Sequence, residues 1–283
     1  MKTADLFGER TVLSYEVFPP KPTTPVRTIY DTLEELVGLS PDFISVTYGA
    51  GGKGSGETLR IAEAILKSGT TCVAHLPCIG RTKEEISSLL DDLAAAGVEN
   101  VLALRGDIPP EGAPRGDFAH ASDLVSFIRE RGDFNIVAAC YPEGHSESAS
   151  LVEDIRHLKI KVDAGVNHLI TQLFFDNSHF YAFKERCALA GIDVPIEAGI
   201  MPVTNKKQIE RMVSLCGVEL PRKFTAVMER YEDNPEALRD AGIAYAVDQI
   251  VDLIAQGADG IHLYTMNNPY VAKKIYSAIH TLV

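Results

Sequence analysis

A glutamate inside an apolar run is the most informative chemical group in this chain. Glu16 lies in Ser14-Tyr15-Glu16-Val17-Phe18-Pro19-Pro20. Alternation along an extended strand puts Ser14, Glu16 and Phe18 on one face. A carboxylate on an inward face is costly unless it is paired or protonated. Desolvation raises a carboxyl pKa, which suits a proton donor near neutral pH. Position alone supports a second reading equally: a Glu that bonds a neighbouring strand and only holds local structure. Arg105-Gly106-Asp107 supplies a cation, a glycine that lets backbone approach a flat ligand, and a carboxylate. Its plain alternative is a local ion pair between Arg105 and Asp107. Gln172, in Ile170-Thr171-Gln172-Leu173-Phe174-Phe175-Asp176, carries an amide that both donates and accepts, as the edge of a heterocycle requires. His75 is either a ligand contact or a satisfied core histidine. His145, His157 and Lys161 follow in one stretch, and Lys161 suits a phosphate, against the default of a solvated helix lysine.

Other chemistries find less support. Gly49-Ala50-Gly51-Gly52-Lys53-Gly54 satisfies G-x-G-x-x-G after an apolar run. A dinucleotide fold would want an acidic residue at the end of the next strand, and His75 stands there. The stretch reads instead as a loop in which Lys53 could face an anion. No P-loop, G-x-S-x-G or H-E-x-x-H occurs. The five cysteines (72, 78, 140, 187 and 216) form no C-x-x-C, so reduced, mostly buried thiols are expected and no metal is. A net charge of −12 gives no basic stripe for nucleic acid. No apolar run is long enough to span a bilayer, and Met1–Asp5 does not open a signal peptide. The expectation is a cytoplasmic protein.

These groups need elements to hold them, and the chain repeats one pattern eight times: a β-branched run, a polar residue at its end, a loop, and a helix closing on Gly. The runs begin near Val12, Phe43, Thr71, Val101, Ile136, His168, Ile196 and Ile261. Their ends carry Glu16, Thr47, His75, Arg105 with Asp107, Tyr141, Gln172, Gly199 and Tyr264. Eight strand–helix units predict a (β/α)8 TIM barrel, an α/β fold whose active site sits where the strands end. We expect strands over residues 11–18, 43–47, 101–104, 136–140, 168–173, 195–199 and 260–264, plus one ending at His75. Thr82-Lys83-Glu84-Glu85 reads as a capping box. A long helix is expected from about Ser148 to Ala164, and Asn205 should cap another that ends at Gly217. The rhythm then breaks: an extra helix over residues 221–230 and a long one starting at Asn234-Pro235 precede the last strand. No linker or low-complexity tract divides residues 1–283, which read as a single catalytic domain.

Taken together, the strand ends resemble the methylenetetrahydrofolate reductase family. The resemblance is carried by Tyr15–Pro20, Ser45-Val46-Thr47-Tyr48-Gly49-Ala50, Ala74-His75-Leu76-Pro77-Cys78, Ala103-Leu104-Arg105-Gly106-Asp107-Ile108-Pro109-Pro110 and Ala121-Ser122-Asp123-Leu124-Val125. It continues through Tyr141-Pro142-Glu143-Gly144-His145, Lys161-Val162-Asp163-Ala164-Gly165, Ile170–Asp176, Gly199-Ile200-Met201-Pro202-Val203 and Leu263-Tyr264-Thr265-Met266-Asn267. It implies a barrel that holds FAD and passes a hydride to 5,10-methylenetetrahydrofolate, with electrons from NAD(P)H or a donor protein, in a homo-oligomer. By that resemblance Glu16 is the general acid and Asp107 the carboxylate near flavin and pterin. Gln172, Gln208, Met212 and Asn268 meet substrate or nicotinamide. Thr47, His75, Arg105, Gly106, Asp107, His120, Ala121, Tyr141, His145, Asp154, His157 and Lys161 meet the flavin cofactor. The chain departs from the family pattern at His120, His157, Ile160 and Asn268. Two alternatives accompany the resemblance: a flavin-free pterin-binding barrel of methyltransferase or lyase class, and a subunit that takes electrons from a second protein.

Overall fold

The computed structural model describes residues 1–20, 23–49, 55–108, 112 and 115–283. Residues 50–54 of the glycine-rich stretch, Lys53 among them, and Pro109-Pro110 lie outside the described residues. Eight parallel strands close into a barrel in sequence order. They are β1 (Val12–Val17), β2 (Phe43–Val46), β3 (Thr71–Pro77), β4 (Asn100–Leu104), β5 (Asn135–Cys140), β6 (His168–Thr171), β7 (Ile196–Ile200) and β8 (Gly260–Tyr264). The helices are α1 (Arg27–Val37), α2 (Ser55–Lys67), α3 (Lys83–Ala95), α4 (Ala121–Arg131), α5 (Leu151–Asp163), α6 (Asn177–Leu189), α7 (Lys206–Cys216), α8 (Arg222–Tyr231), α9 (Pro235–Ala255) and α10 (Pro269–Ile279). Among the described residues no helix is long and apolar enough to cross a membrane.

Period-2 alternation divides each strand between two environments. Leu13, Tyr15 and Val17 of β1, with Ile44 and Val46 of β2, face outward and join the large apolar core beneath the helices. Inward positions form a smaller cluster of Val12, Phe43, Val73, Leu102, Val137 and Ile170. Polar residues interrupt it: Ser14, Ser45, His75, Asn100, Asn135, His168, Glu197 and His262 are all buried. Leu6 and Phe7 pack against this inner cluster, following a 3-10 turn over Thr3–Leu6.

Local signals set several boundaries. Thr82 and Glu85 form the expected reciprocal capping box at α3. Asn205 caps α7, which ends at Gly217 with φ +64°. Asn234 caps α9 with Pro235 in its first turn. The last helix before β8 is joined by the extra α8, whose Phe224 stacks on Phe175 at 4.4 Å between ring centres. That contact belongs to a separate apolar cluster, with Met201, Val203, Met212 and Met228, over the β6–β7 side of the barrel mouth.

Several expected boundaries move: β3 runs on past His75 to Pro77, and two other shifts have a visible cause. β6 stops at Thr171 rather than residue 173, because the Tyr264 hydroxyl takes the Thr171 carbonyl and the Gln172 side chain takes the Leu173 N–H. α5 begins at Leu151 rather than near Ser148, because Ser150 is its cap and Ser148 turns its hydroxyl to Asp154.

Candidate active site

The strand ends open on one side into a cavity of about 490 Å³, within the range of small-molecule sites, roughly 300–1,000 Å³. β4 and β5, the start of α4, and α5 supply its walls. On α5, Asp154, His157, Leu158 and Lys161 recur at helical spacing, so one face of the helix lines the space. The cavity brings together Arg105, His120, Ala121, Tyr141, His145, Asp154, His157 and Lys161, eight of the residues expected to meet a cofactor. Ile160 is on the same wall.

Two of the plain alternatives read from the sequence do not hold. The Arg105–Asp107 ion pair does not form: Arg105 holds the Glu147 carboxylate in a two-pronged contact at 2.5 and 2.7 Å, and Asp107 is exposed. This contact raises the Arg105 pKa and lowers that of Glu147. Lys161 is not a solvated helix lysine. Its ammonium turns inward and donates to the Ala139 carbonyl at the end of β5. Burial pushes its pKa down, against Cys140 and Asp154, which push it up. An anion entering here would restore the charge that burial disfavours. Tyr141 stacks edge-on with His145 at 4.7 Å, and burial pushes its phenol up to about 12. Ser122, Glu147 and Ser148 also line the cavity. Sequence reading passed over them because a loop serine or glutamate carries no spacing signal of its own.

On the opposite side the strand ends close on each other. Glu16 faces inward near the end of β1, with its carboxylate 3.5 Å from His75 Nε2 and 3.8 Å from His262 Nε2. Burial lowers the His75 pKa, an effect reinforced by His262 and opposed by Glu16. His75 therefore meets the Glu16 side chain as a neutral imidazole at neutral pH. Among the described residues no lysine or arginine pairs with Glu16. The Glu16 carbonyl accepts from the Thr265 hydroxyl at 2.6 Å. Asn267 then clamps Phe18, accepting its N–H at 3.0 Å and donating to its carbonyl at 2.8 Å. Met266 and Asn267 both sit at positive φ, 52° and 54°, a conformation that costs a non-glycine residue on the order of 1 kcal/mol or more. Tyr264 and Gly199 complete this side: the Tyr264 hydroxyl donates to the Thr171 carbonyl at 2.7 Å, and a Cβ on Gly199 would lie 2.3 Å from that oxygen.

The remaining expected site residues are spread around the mouth. Thr47 passes its carbonyl to the Thr58 hydroxyl, and His75 borders a separate small cavity of about 90 Å³ with Tyr48 and Thr58. Gly106 has φ +91°, and a Cβ there would meet Ile79 at 2.8 Å, so protein packing alone already demands glycine. Asp107 is close enough to α7 to raise the Cys216 pKa, after burial. Gln208 holds the Thr204 backbone with its amide oxygen, and Met212 is buried in the α7–α8 cluster. Asn268 spends its side-chain oxygen on capping α10. Of the cysteines, 72, 78, 140 and 187 are buried and all five are free.

A closed (β/α)8 barrel with an inward carboxylic group at one strand end and a cation-lined cavity beside it has the layout of a TIM-barrel enzyme. The sequence profile of the methylenetetrahydrofolate reductases matches residues 2–280. A Pectobacterium carotovorum 5,10-methylenetetrahydrofolate reductase is 38% identical over 280 residues, covering 99% of this chain and 92% of that one. The Escherichia coli enzyme of the same name is 37% identical over 281 residues, covering 99% and 93%. An Arabidopsis thaliana methylenetetrahydrofolate reductase (NADH) is 39% identical across 91% of this chain, which spans 46% of that protein. Among solved structures, a Clostridium thermocellum protein described as binding two copies of 5-methyl-5,6,7,8-tetrahydrofolic acid superposes with a TM-score of 0.71 at 15% identity, over 97% of this chain and 96% of that one. The chain belongs to the methylenetetrahydrofolate reductase family.

Proposed function

We propose that this chain is an oxidoreductase that reduces 5,10-methylenetetrahydrofolate to 5-methyltetrahydrofolate, with Glu16 as the proton donor and FAD in the cavity between β4 and α5. The reaction itself follows from full-length similarity to reductases of that name. This similarity leaves the methyltransferase or lyase alternative without support. The observation that carries the assignment of roles is the position of Glu16: inside the barrel mouth, facing two imidazoles, with no lysine or arginine paired with it among the described residues.

The cavity suits a flat, anionic cofactor. Lys161 and Arg105 would hold phosphate oxygens, His120, His145 and His157 would add donors, and Ser122 and Ser148 would serve ribose or phosphate. Bound there, FAD would supply the hydride chemistry. The chain's own part is acid catalysis and orientation. The Glu16 carboxyl gives its proton to the folate nitrogen that leaves when the five-membered ring opens, which exposes a cationic methylene carbon to hydride. Asp107, at the mouth beyond β4, would offset that positive charge. Gln172 would meet the pterin edge, while Gln208 and Met212 would line the entry on the α7 side. The strand ends that close around Glu16 would limit water at the ring-opened substrate.

The electron donor is NAD(P)H or a partner protein, and NADH is the first to test because it appears in the name of the plant relative. We read the whole chain as one catalytic domain that works in the cytoplasm as a homo-oligomer. Purification tests the cofactor: the protein should carry flavin absorbance, bleach anaerobically with its donor, and recover colour on addition of 5,10-methylenetetrahydrofolate. A colourless protein that binds no added FAD would remove the flavin part of the proposal.

A further inference from the structure

Below Glu16 the barrel interior holds a chain of buried polar groups that the reaction as described does not use. Ser14 is two residues earlier on the same inward face of β1. Its hydroxyl is 2.8 Å from Glu197 Oε1 of β7 and 2.6 Å from His262 Nδ1 of β8. His262 Nε2 in turn faces the Glu16 carboxylate. At the far end, His168 Nε2 of β6 is 3.5 Å from Glu197 Oε2. Ser14, Glu197 and His168 are wholly shielded from solvent, and His262 is 1% exposed. Glu197 Oε2 and both His168 ring nitrogens have no hydrogen-bond partner among the described residues. A Cβ on Gly260 would lie 2.6 Å from Glu197 Cγ, so the strand beside the carboxyl is cut to fit it. Burying this much polarity in a barrel core is expensive.

We propose that Glu197, acting through Ser14 and His262, is a positioning residue that fixes the His262 tautomer so that Glu16 is held in its proton-donating form. The inference rests on the reading of Glu16 as the acid. Ser14 has one hydroxyl proton and two neighbours that could accept it. Glu197 Oε1 takes it, being a carboxyl oxygen with no other donor in reach among the described residues, and it accepts whether or not Oε2 carries a proton. His262 Nδ1 must then be a donor to the Ser14 oxygen. A neutral imidazole has only one N–H, so Nε2 presents its lone pair to Glu16. At 3.8 Å this is an electrostatic contact rather than a hydrogen bond. A lone pair there disfavours a carboxylate and favours a carboxyl O–H.

The other described groups facing Glu16 do not reverse this. His75 of β3 is neutral because burial lowers its pKa. Burial and Glu16 itself raise the Tyr264 phenol, and its O–H is already given to Thr171. His262 is otherwise bounded by the rings of Phe43 and Tyr264, which supply no proton.

The test measures the folate half-reaction against pH in wild type, Glu197→Met and Glu197→Gln, with flavin reduction by the donor as control. Methionine keeps the unbranched shape and removes the acceptor. Ser14 would then give its proton to His262 Nδ1, the tautomer would reverse, and an N–H would face Glu16. The alkaline fall of the folate rate should move about one pH unit lower, roughly a ten-fold loss on that limb, with the donor half-reaction unchanged. Glutamine keeps an acceptor oxygen and should retain the wild-type profile. A Glu197→Met profile that superimposes on wild type, or equal shifts in Met and Gln variants, overturns the inference. Should Glu197→Met not fold, Ser14→Ala should move the profile in the same direction, and an unmoved profile overturns the inference. Glu16→Gln, run alongside, separates the two readings. Full folate activity in it defeats the acid assignment; loss of activity there with an unmoved Glu197→Met profile defeats only the present inference.

Discussion

The two sides of the barrel mouth are built on different principles. Between β4 and α5 the strand ends spread around an open cavity, and its charged groups come from loops and a helix face: Arg105, Glu147, Asp154 and Lys161. Around β8, β1 and β7 the ends close, and the polar groups come from inward strand positions fixed by their neighbours: Glu16, Ser14, Glu197 and His262. The first side suits binding, because the partly exposed Arg105–Glu147 pair can exchange one partner for another at little cost. The second suits proton transfer, because a desolvated group responds strongly to one neighbouring N–H or lone pair.

The comparison breaks most sharply at Glu16. Glu16→Gln should keep cofactor binding and reduction by the donor and slow the folate half-reaction by about 100- to 10,000-fold, the usual worth of a general acid. Stopped-flow measurement of the two half-reactions separates them, and equal loss in both would place Glu16 on the binding side. Gly199→Ala probes how tightly the closed side is built. The new methyl would collide with the Thr171 carbonyl and the Tyr264 ring, so thermal unfolding should show a loss of about 1–3 kcal/mol. An unchanged Tm would mean that β7 and β8 can part freely.

Smaller effects are expected on the open side. Lys161→Ala should raise the FAD dissociation constant by about 10-fold or more, through loss of a charge-assisted contact worth roughly 1.5–3 kcal/mol. Excess FAD should restore turnover, and a turnover defect that FAD does not rescue would move Lys161 to the chemistry. The smallest effect belongs to Glu147→Gln. It removes a partly exposed ion pair from Arg105, so stability should change by less than about 1 kcal/mol. The freed guanidinium should tighten FAD binding a few-fold in a titration. Weaker binding would show that Glu147 itself holds the ligand.

The sequence made the barrel legible because its strand ends are polar and its runs are β-branched. The Asn205 and Asn234 caps, the Thr82 capping box and the extra helix before β8 were equally readable, since each depends on a few adjacent residues. Contacts between distant elements were not. Arg105 looked toward Asp107 in sequence, but in the fold a loop 42 residues away brings it Glu147. For Lys161 the residues alone left a solvated helix lysine beside a phosphate contact, and only the fold turns its stem toward β5. Glu197 and His168 carry no motif and sit in ordinary strand runs. Alternation places them inward, yet only the closed barrel shows that they meet, 3.5 Å apart, beneath Glu16.

The central claim is that this barrel transfers reducing equivalents to a folate whose ring Glu16 has opened. Anaerobic single turnover tests it most directly: the flavoprotein is reduced, freed of donor, and mixed with 5,10-methylenetetrahydrofolate while flavin absorbance and folate products are followed. The account predicts that flavin reoxidises and one 5-methyltetrahydrofolate forms per flavin in wild type, and that Glu16→Gln stays reduced over the same interval. Reduced flavin that persists in wild type, or a Glu16→Gln protein that forms 5-methyltetrahydrofolate as fast as wild type, would contradict it.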